Sequence, residues 1–354
     1  LRKAKVKNPL MLLDEIDKVS NDYRSDTSSA LLEVLDGEQN SHFVDHYIDM
    51  PVDLSEILFI ATANDLSEVS RPLLDRMEII EVSSYTKNEK LHIAKEHLVA
   101  KQLKKNGLTK KSVRFTDKAL AKIIDGYTME AGVRELERMI AAVLRKVVRK
   151  NYTVGGVNIE KQIVITDKNL SEYLGKVKFI KEKASRKNEV GIVRGLAWTA
   201  AGGDTLEIEV NVLGGKPELI LTGNMGDVMR ESAQIALSYV RSVVRKNQIF
   251  EENAIHIHIP EGAVPKDGPS AGITMATAIY SAVTGKPVDA STAMTGEVTL
   301  RGRVMPIGGL KEKLLAAKTA GLKRVLVPLE NKSDVEEFEE EIVQGLEIVY
   351  VLSL

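Results

Sequence analysis

Cysteine is absent from this chain, and aromatic residues make up only 5% of its 354 positions. Without cysteine the chain can form no disulfide, no thiol nucleophile and no cysteine-ligated zinc site. No apolar run reaches the roughly 18 residues that are needed to span a bilayer, and residues 1–7 lack the apolar core of a signal peptide. We therefore expect a soluble, cytoplasmic protein that does not associate with membranes.

Charge is distributed unevenly along the chain, although the net charge is only −1. Residues 1–83 hold 8 basic and 17 acidic side chains, residues 84–174 hold 19 and 10, and residues 175–354 hold 22 and 23. A chain of this length with 44% hydrophobic residues can form two or three domains, each with its own core. We predict three domains with these boundaries, and an exposed linker at about 175–188.

A short segment rich in glycine and proline, Pro265–Gly272, contains Ser270. The small and apolar residues that follow predict a helix that stops at Gly285, so Ser270 would lie at a helix N-terminus. Free backbone N–H groups and the positive end of the helix dipole meet there, which suits a developing oxyanion. Gly268 and Gly272 are expected to leave room for a substrate backbone. Ser270 is therefore a candidate nucleophile.

A serine hydroxyl is a weak nucleophile near neutral pH, so it needs a base, and a neutral lysine is one known substitute for histidine. Lys311 and Lys313 both lie on a predicted helix over 310–319, roughly 200° apart, so only one of them can face the serine. Desolvation must lower the pKa of that lysine from about 10.4 towards 7. The apolar neighbours that could desolvate it are Leu310, Leu314 and Ala317. The alternative is a helix-capping serine and a solvated lysine.

Near the start of the chain, an apolar run in Pro9–Asp17 ends in the carboxylates of Asp14 and Glu15. This pattern is typical of a buried parallel strand that ends in a Walker B element. A second predicted strand, over 57–62, ends at Asn64. Its amide is expected beside the first strand's carboxylates.

Two arginines follow in contexts that suit phosphate contact. Arg76 lies in Pro72–Glu78, and Arg134 lies in Glu130–Leu136. Beyond Arg134, apolar residues recur at helical spacing and predict one packed helix face: Leu136, Ile140, Val143, Leu144, Val147 and Val148. An ordinary amphipathic helix with a surface arginine is the alternative.

Three segments together resemble the proteolytic domain of the Lon family of ATP-dependent proteases: Pro265–Gly272, Thr295–Gly302 and Pro306–Ala317. The resemblance implies that Ser270 is the nucleophile and that Lys313, rather than Lys311, is the base. It also implies that the Thr295 hydroxyl orients the lysine, with Asp267 and Gly268 as supporting residues.

The earlier motifs resemble the AAA+ ATPase module of the same family. The resemblance assigns Asp14 to Mg²⁺ through water, Glu15 to the attacking water, Asn64 to sensor 1, Arg76 to the arginine finger, Arg134 to sensor 2 and Tyr23 to a possible pore loop. It implies ATP/ADP and Mg²⁺ as ligands of the intact enzyme, whereas peptide-bond chemistry itself requires no cofactor. The implied α/β fold is a partial AAA+ α/β core, then an α-helical lid, then a mixed α/β protease domain.

No Gly-x-x-x-x-Gly-Lys-Ser/Thr sequence occurs in the 354 residues, so the chain contains no P-loop to cradle phosphates. In the family this element precedes Walker B, so the chain resembles a carboxy-terminal fragment that begins partway through the AAA+ core. We expect this polypeptide alone to bind ATP poorly and to show negligible ATPase activity.

The resemblance implies an ATP-dependent serine endopeptidase that unfolds misfolded or tagged proteins and degrades them inside the chamber of a homohexameric ring. Two alternatives are an ATP-independent peptidase for unfolded chains and a non-cleaving AAA+ scaffold that binds polypeptide or DNA. The basic stretches 101–111 and 145–150 are candidates for DNA contact through phosphates, although solvated charge is the default explanation for them. His256 and His258 share a strand face, and we expect them to be structural rather than metal ligands.

Overall fold

The computed structural model describes residues 3–19, 27–45, 47, 49–80, 82, 84–153, 156–157, 159, 161–179, 187–199, 202–244, 248–338 and 340–354. The chain divides into two compact units, residues 1–83 and 84–354. None of the helices in the described ranges has the length and apolar character that crossing a bilayer requires.

The first unit is built around a parallel pair of strands. Its elements in chain order are β1 (Leu10–Leu13), α1 (Thr27–Leu35), β2 (Phe43–Asp45), β3 (Met50–Val52), β4 (Leu58–Ala61) and α2 (Arg71–Leu74). β1 pairs with β4 in parallel, with Leu10 opposite Leu58, and we call this pair the small sheet. Both predicted strands are present, and the first is parallel, as predicted.

The prediction that the first strand is buried is wrong. Leu10 is 59% exposed, and Leu58 beside it is 61% exposed. Side chains alternate between the two faces of a strand, and the outward-facing positions of both strands are exposed while the others are half-buried. Within the described residues, the apolar core around Ile16, Val69 and Leu73 packs on one face of the small sheet, so the other face stays in contact with solvent.

The second unit opens with a helical region. Its elements are α3 (Lys87–Ile93), a π-helical turn (Ala94–Leu98), α4 (Val99–Lys105), β5 (Val113–Phe115), α5 (Asp117–Gly126), α6 (Arg134–Lys150), β6 (Tyr152–Thr153), β7 (Gly156–Val157), β8 (Ile163–Ile165) and α7 (Leu170–Leu174). The packed face predicted for α6 is confirmed, because the predicted apolar residues join the core of this region, with only Val148 partly buried. The carboxylate of Glu130 accepts the backbone N–H groups of Glu135 and Leu136 and so caps this helix.

The remainder of the second unit is mixed α/β, as predicted. Its elements are β9 (Ile192–Thr199), β10 (Gly202–Gly214), β11 (Leu219–Thr222), α8 (Asp227–Val243), α9 (Gln248–Glu251), β12 (Asn253–His258), α10 (Gly272–Thr284), β13 (Thr292–Met294), β14 (Glu297–Val298), β15 (Val304–Met305), α11 (Leu310–Thr319), β16 (Arg324–Pro328), α12 (Lys332–Glu337), α13 (Glu340–Val343) and β17 (Glu347–Val351). In the described residues, seven of these strands form one sheet in the order β11-β12-β10-β9-β13-β16-β17. We call it the large sheet.

Helices cover both faces of the large sheet. The adjacent β13 residues Ala293 and Met294 belong to two different apolar clusters, and successive strand residues point to opposite faces. Helices α8 and α10 share the cluster of Met294, so they cover one face. Helix α11 shares the cluster of Ala293 and covers the other face. This layering gives a buried side to α10, which follows Ser270, and to α11, which carries Lys313.

Candidate active site

Ser270 lies in a single 3₁₀ turn, Pro269–Ala271, that leads directly into α10. The helix ends at Thr284, and Gly285 follows in the left-handed conformation with φ 72°, which is a common helix end. The predicted helix and its stop at Gly285 are confirmed. Ser270 is half-buried, so it is packed against the protein on one side and keeps contact with solvent on the other.

The carboxylate of Asp267 organises the backbone in front of the serine. Its Oδ1 accepts the backbone N–H of Met229 at 2.9 Å and that of Gly268 at 2.9 Å. The first bond satisfies an otherwise free donor in the opening turn of α8. Asp267 therefore ties the segment before Ser270 to the start of a helix.

Lys266 is a residue whose role the sequence reasoning missed. Its Nζ donates to the carbonyls of Glu261 at 2.7 Å and Val264 at 3.1 Å, and lies 3.5 Å from that of Gly223. Burial lowers the pKa of Lys266, although the Glu261 carboxylate opposes the shift. A lysine inside a glycine- and proline-rich loop was the available signal, since such loops leave carbonyls without helix or sheet partners.

The predicted room for substrate is found at only one of the two glycines. A Cβ on Gly268 would meet nothing within 4 Å, and its φ is +121°. A Cβ on Gly272 would lie 2.9 Å from the backbone nitrogen of Val298. The expectation for Gly272 is therefore wrong, because the protein's own β14 occupies that space.

The helix N-terminus also has fewer free donors than predicted. The backbone N–H of Gly272 donates to the Pro269 carbonyl, and that of Ile273 donates to the Gly296 carbonyl at 3.0 Å. Both N–H groups lie where an oxyanion was expected to find donors. The 3₁₀ turn and β14 therefore use them inside the protein.

Burial distinguishes the two candidate lysines. Lys313 is 3% exposed, whereas Lys311 is half-buried. Leu310, Leu314 and Ala317 are all buried on the same helix, as predicted. Burial lowers the pKa of Lys313 to about 8, against a smaller raising effect of the Glu312 carboxylate. Of the two, Lys313 is the lysine whose surroundings suit a neutral base near physiological pH.

Thr295 contacts the serine segment rather than the lysine. It is fully buried, and its Oγ1 donates to the Ser270 carbonyl at 3.4 Å. The Gly296 backbone N–H donates to the same carbonyl at 2.8 Å. Within the described part of the chain, no hydrogen bond joins the Ser270 hydroxyl to Lys313. The structure thus holds the serine backbone firmly from the end of β13.

In the first unit, a threonine connects the two predicted acidic residues. Thr62, directly after β4, donates through Oγ1 to Asp14 Oδ1 at 2.6 Å, and it accepts the Glu15 backbone N–H at 3.0 Å. Glu15 itself has φ +55°, a left-handed conformation that is uncommon for a residue with a side chain. Thr62 was not predicted, although its place at the end of the neighbouring parallel strand was a usable signal.

Asp17 is a second residue that the motif reasoning missed. It is buried, and its carboxylate lies 3.2 Å from the Lys18 ammonium. Burial raises its pKa, but Lys18 and the backbone N–H of Asn64 together outweigh burial and leave the pKa below its ordinary value. Among the described residues, no hydrogen bond joins the Asn64 side chain to Asp14 or Glu15.

The two predicted arginines have different surroundings. Arg76 donates to Asp36 Oδ2 through Nη2 at 3.0 Å and to the Pro72 carbonyl through Nη1 at 2.9 Å. Arg134 is exposed at the first residue of α6. Arg134 lines an open depression together with Arg138 and Arg145 of the same helix. Tyr23 lies outside the described residues.

The histidine pair contacts a threonine. Thr222 Oγ1 lies 2.9 Å from His256 Nε2 and 2.7 Å from His258 Nδ1. Among the described residues, no group of three or more histidine, aspartate or glutamate side chains is arranged to hold a metal ion. A structural role for the two histidines fits these contacts.

A carboxylate with water and nucleotide phosphates is the usual way in which proteins hold Mg²⁺, which rarely sits in an all-protein cage. Asp14 fits that mode, because it ends a parallel strand and only one of its oxygens is bonded to Thr62. The donor set therefore suits a magnesium ion that arrives with a nucleotide.

Protein-family models match ATPase and protease domains in this chain. Residues 164–354 match the Lon protease (S16) C-terminal proteolytic domain, residues 104–156 match the Lon protease AAA+ ATPase lid domain, and residues 1–85 match the family of ATPases associated with various cellular activities. The order of AAA, lid and protease domains confirms the predicted fold class. The buried lysine and the serine that precedes a helix both lie in the part of the chain that matches the Lon proteolytic domain.

The chain belongs to the Lon protease family. It is 58% identical to the Lon protease of Lachnoclostridium phytofermentans over 100% of this chain and 49% of that protein. Over 99% of its length it is 57% identical to the Lon protease of Bacillus thuringiensis and 54% identical to Lon protease 1 of Bacillus subtilis, and it covers 44% and 45% of those proteins. The chain therefore spans about half the length of the curated relatives it matches.

Proposed function

We propose that the protein carrying this chain is an ATP-dependent serine endopeptidase, with Ser270 as nucleophile and Lys313 as base. The burial of Lys313, which lowers its pKa to about 8, carries this proposal. A lysine with that pKa is neutral in about a tenth of molecules at pH 7. An ordinary surface lysine is neutral in only about one in a few thousand.

The reaction follows from these two groups. Neutral Lys313 takes the proton of the Ser270 hydroxyl while Oγ forms a bond to the peptide carbonyl carbon. The carbon–nitrogen bond of the tetrahedral intermediate then breaks, and the lysine ammonium gives its proton to the leaving amine. Water attacks the acyl ester with the neutral lysine again as base, and the serine hydroxyl is restored with release of the carboxylate.

Three further residues support this chemistry in the proposal. Asp267 holds the backbone in front of Ser270, and Thr295 donates to the serine's own carbonyl. Gly268 leaves open space where a substrate backbone can approach. We propose that Thr295 acts on the serine segment in this conformation, with orientation of the lysine as its second role.

The first unit and the helical region are proposed to bind ATP or ADP with Mg²⁺ in the intact enzyme. Magnesium bound with the nucleotide would neutralise charge on the transferred phosphate. Asp14 would hold the ion through water, Glu15 would polarise the attacking water, and Asn64, Arg76 and Arg134 would serve as sensor 1, arginine finger and sensor 2. The hydrogen bonds through Thr62 support the placement of Asp14 and Glu15.

The substrates, the partners and the location of the protein are part of the same proposal. We propose unfolded or tagged proteins as substrates, a homohexamer as the intact assembly, and a cytoplasmic location. DNA contact through the basic helical region is supported by the exposed arginines of α6, and its affinity should fall steeply with salt. The boundaries 1–83, 84–174 and 175–354 remain our proposal for the three domains.

Cleavage of an unfolded fluorescent protein tests the proposal, with wild type beside Ser270→Ala and Lys313→Ala, with and without ATP. We expect each variant to lose at least about a thousandfold in kcat. Retained cleavage in Ser270→Ala would overturn the assignment. Wild-type cleavage that ignores ATP and spares a stably folded protein would instead favour an ATP-independent peptidase for unfolded chains.

A further inference from the structure

One hydrogen bond connects the start of the second unit to the helix of the proposed base. Ser84 Oγ donates to Glu312 Oε1 at 2.6 Å, and the two residues lie 228 positions apart in the sequence. Ser84 is the first residue of the second unit. Glu312 directly precedes Lys313 on α11. The bond therefore joins the point where the chain leaves the first unit to the residue beside the base.

The backbone of Glu312 is in close contact with a second element, the strand β10. A Cβ on Gly203 would lie 1.9 Å from the Glu312 carbonyl oxygen and 3.1 Å from the Lys313 nitrogen. The start of β10 therefore touches α11 at these two residues. The glycine fixes the helix backbone, and Ser84 holds the side chain, so the Glu312 carboxylate has a defined place.

Glu312 is also the charged group that acts on Lys313. α11 packs against β9, β10, α12 and α13. The neighbouring Glu312 carboxylate raises the pKa of Lys313 against the larger lowering effect of burial. A change in the position or the charge of this carboxylate therefore changes the fraction of neutral lysine.

We propose that Glu312 is a positioning residue for the base, and that its hydrogen bond to Ser84 is a regulatory contact through which the chain leaving the first unit acts on Lys313. The inference rests on the proposed function, since it takes Lys313 as the base. While Ser84 donates its hydrogen bond, the Glu312 carboxylate keeps its position. The hydroxyl proton then compensates part of the negative charge of that carboxylate. When Ser84 withdraws, the full charge of the carboxylate stabilises the Lys313 ammonium, and the base becomes less available.

Two substitutions should then move the pH dependence of cleavage in opposite directions. Ser84→Ala removes the hydrogen-bond donor, so the Lys313 ammonium is stabilised. The rise of kcat should then occur at a pH that is higher by roughly half a unit. Glu312→Gln removes the charge but keeps an oxygen that accepts from Ser84. The rise of kcat should then occur at a pH that is lower by a similar amount. A bond that only added stability would not produce opposite displacements.

The experiment measures kcat and KM for a short fluorogenic peptide from pH 6 to 10, using the full-length protein that contains this chain. The variants are Ser84→Ala, Ser84→Thr, Glu312→Gln and the double variant Ser84→Ala with Glu312→Gln. Ser84→Thr keeps a hydroxyl and should restore the wild-type profile. Ser238→Ala is the matched control, because Ser238 is an exposed helix residue whose hydroxyl donates to the Gln234 carbonyl of its own helix.

We expect opposite profile displacements for the single variants, no further displacement by Ser84→Ala in the Glu312→Gln background, and unchanged KM. Identical profiles for wild type, Ser84→Ala and Glu312→Gln, each with a normal thermal melt, would overturn the inference. Ser270→Ala in the same assay tests the proposed function independently. Its loss of cleavage beside unchanged Ser84 and Glu312 profiles would reject the regulatory contact and leave the nucleophile in place.

Discussion

The large and the small sheet place their functional residues in opposite relations to solvent. Helices cover both faces of the large sheet, and the lysine of α11 is buried against one of them. The small sheet is covered on one face in the described residues, and Asp14 and Glu15 follow its β1 strand.

The two chemistries explain this difference. A lysine becomes a base only when desolvation destabilises its ammonium, which requires closely packed layers on all sides. A carboxylate that serves a hydrated magnesium ion must instead keep contact with water and phosphate. Burial therefore sets the pKa of Lys313 beside the large sheet. In the small sheet, the strand end and hydrogen bonds to Thr62 position Asp14 and Glu15.

The largest expected difference between the two regions concerns glycine. Gly203→Ala would place a Cβ 1.9 Å from a backbone carbonyl of α11, so either β10 or α11 must move, at a cost of about 3 kcal/mol or more. Gly37→Ala in the first unit meets nothing within 4 Å and should change stability by less than about 1 kcal/mol. Urea unfolding measures the change in the free energy of unfolding for each variant. Equal changes for the two variants would contradict the difference in packing between the two regions.

A pair of apolar truncations on the two sheets should differ next most. Ile257→Ala removes a fully buried side chain of the large sheet and should cost about 2 to 5 kcal/mol. Leu58→Ala trims a side chain that is mostly exposed on the small sheet and should cost less than about 1 kcal/mol. Chemical denaturation of this chain measures both. A large cost for Leu58→Ala would show that the outer face of the small sheet is covered.

Lys313→Met should stabilise the protein at neutral pH. The folded-state pKa of about 8 lies below the ordinary value of 10.5, so folding opposes protonation of Lys313 and the wild type loses about 3 kcal/mol of stability below pH 8. The advantage of methionine should be complete below pH 8 and should vanish as the pH rises through 10.5. Thermal melts of both proteins from pH 6 to 10.5 check this. A constant difference across that range would contradict a buried amine as the cause.

The smallest effect expected is on the pH dependence of cleavage. The neutral fraction of Lys313 rises from about a tenth at pH 7 to about nine-tenths at pH 9. We therefore expect kcat to rise by about tenfold over this range and then to level off. A rate constant that is flat between pH 7 and 9 would indicate that Lys313 is not the base in the rate-limiting step.

Local features of the sequence were predicted well. The end of α10 at Gly285, the extent of α11 and the packed face of α6 all follow from periodicity and helix-stop residues. The burial of the first strand was predicted wrongly, because an apolar run shows that a strand can be buried without showing what covers it. The space at Gly272 was misassigned for a similar reason, since the occupant, β14, lies more than twenty residues further along the chain.

The sequence by itself determined the residue types and spacings of the candidate site: a serine before a helix, two lysines on a later helix, and carboxylates after an apolar strand. Only the tertiary structure decided which lysine is buried, which carbonyl Thr295 contacts, and that Ser84 bonds Glu312. The physical reason is that desolvation and hydrogen bonding depend on atoms brought together from distant parts of the chain. Periodicity reports only on neighbours within one helix or strand.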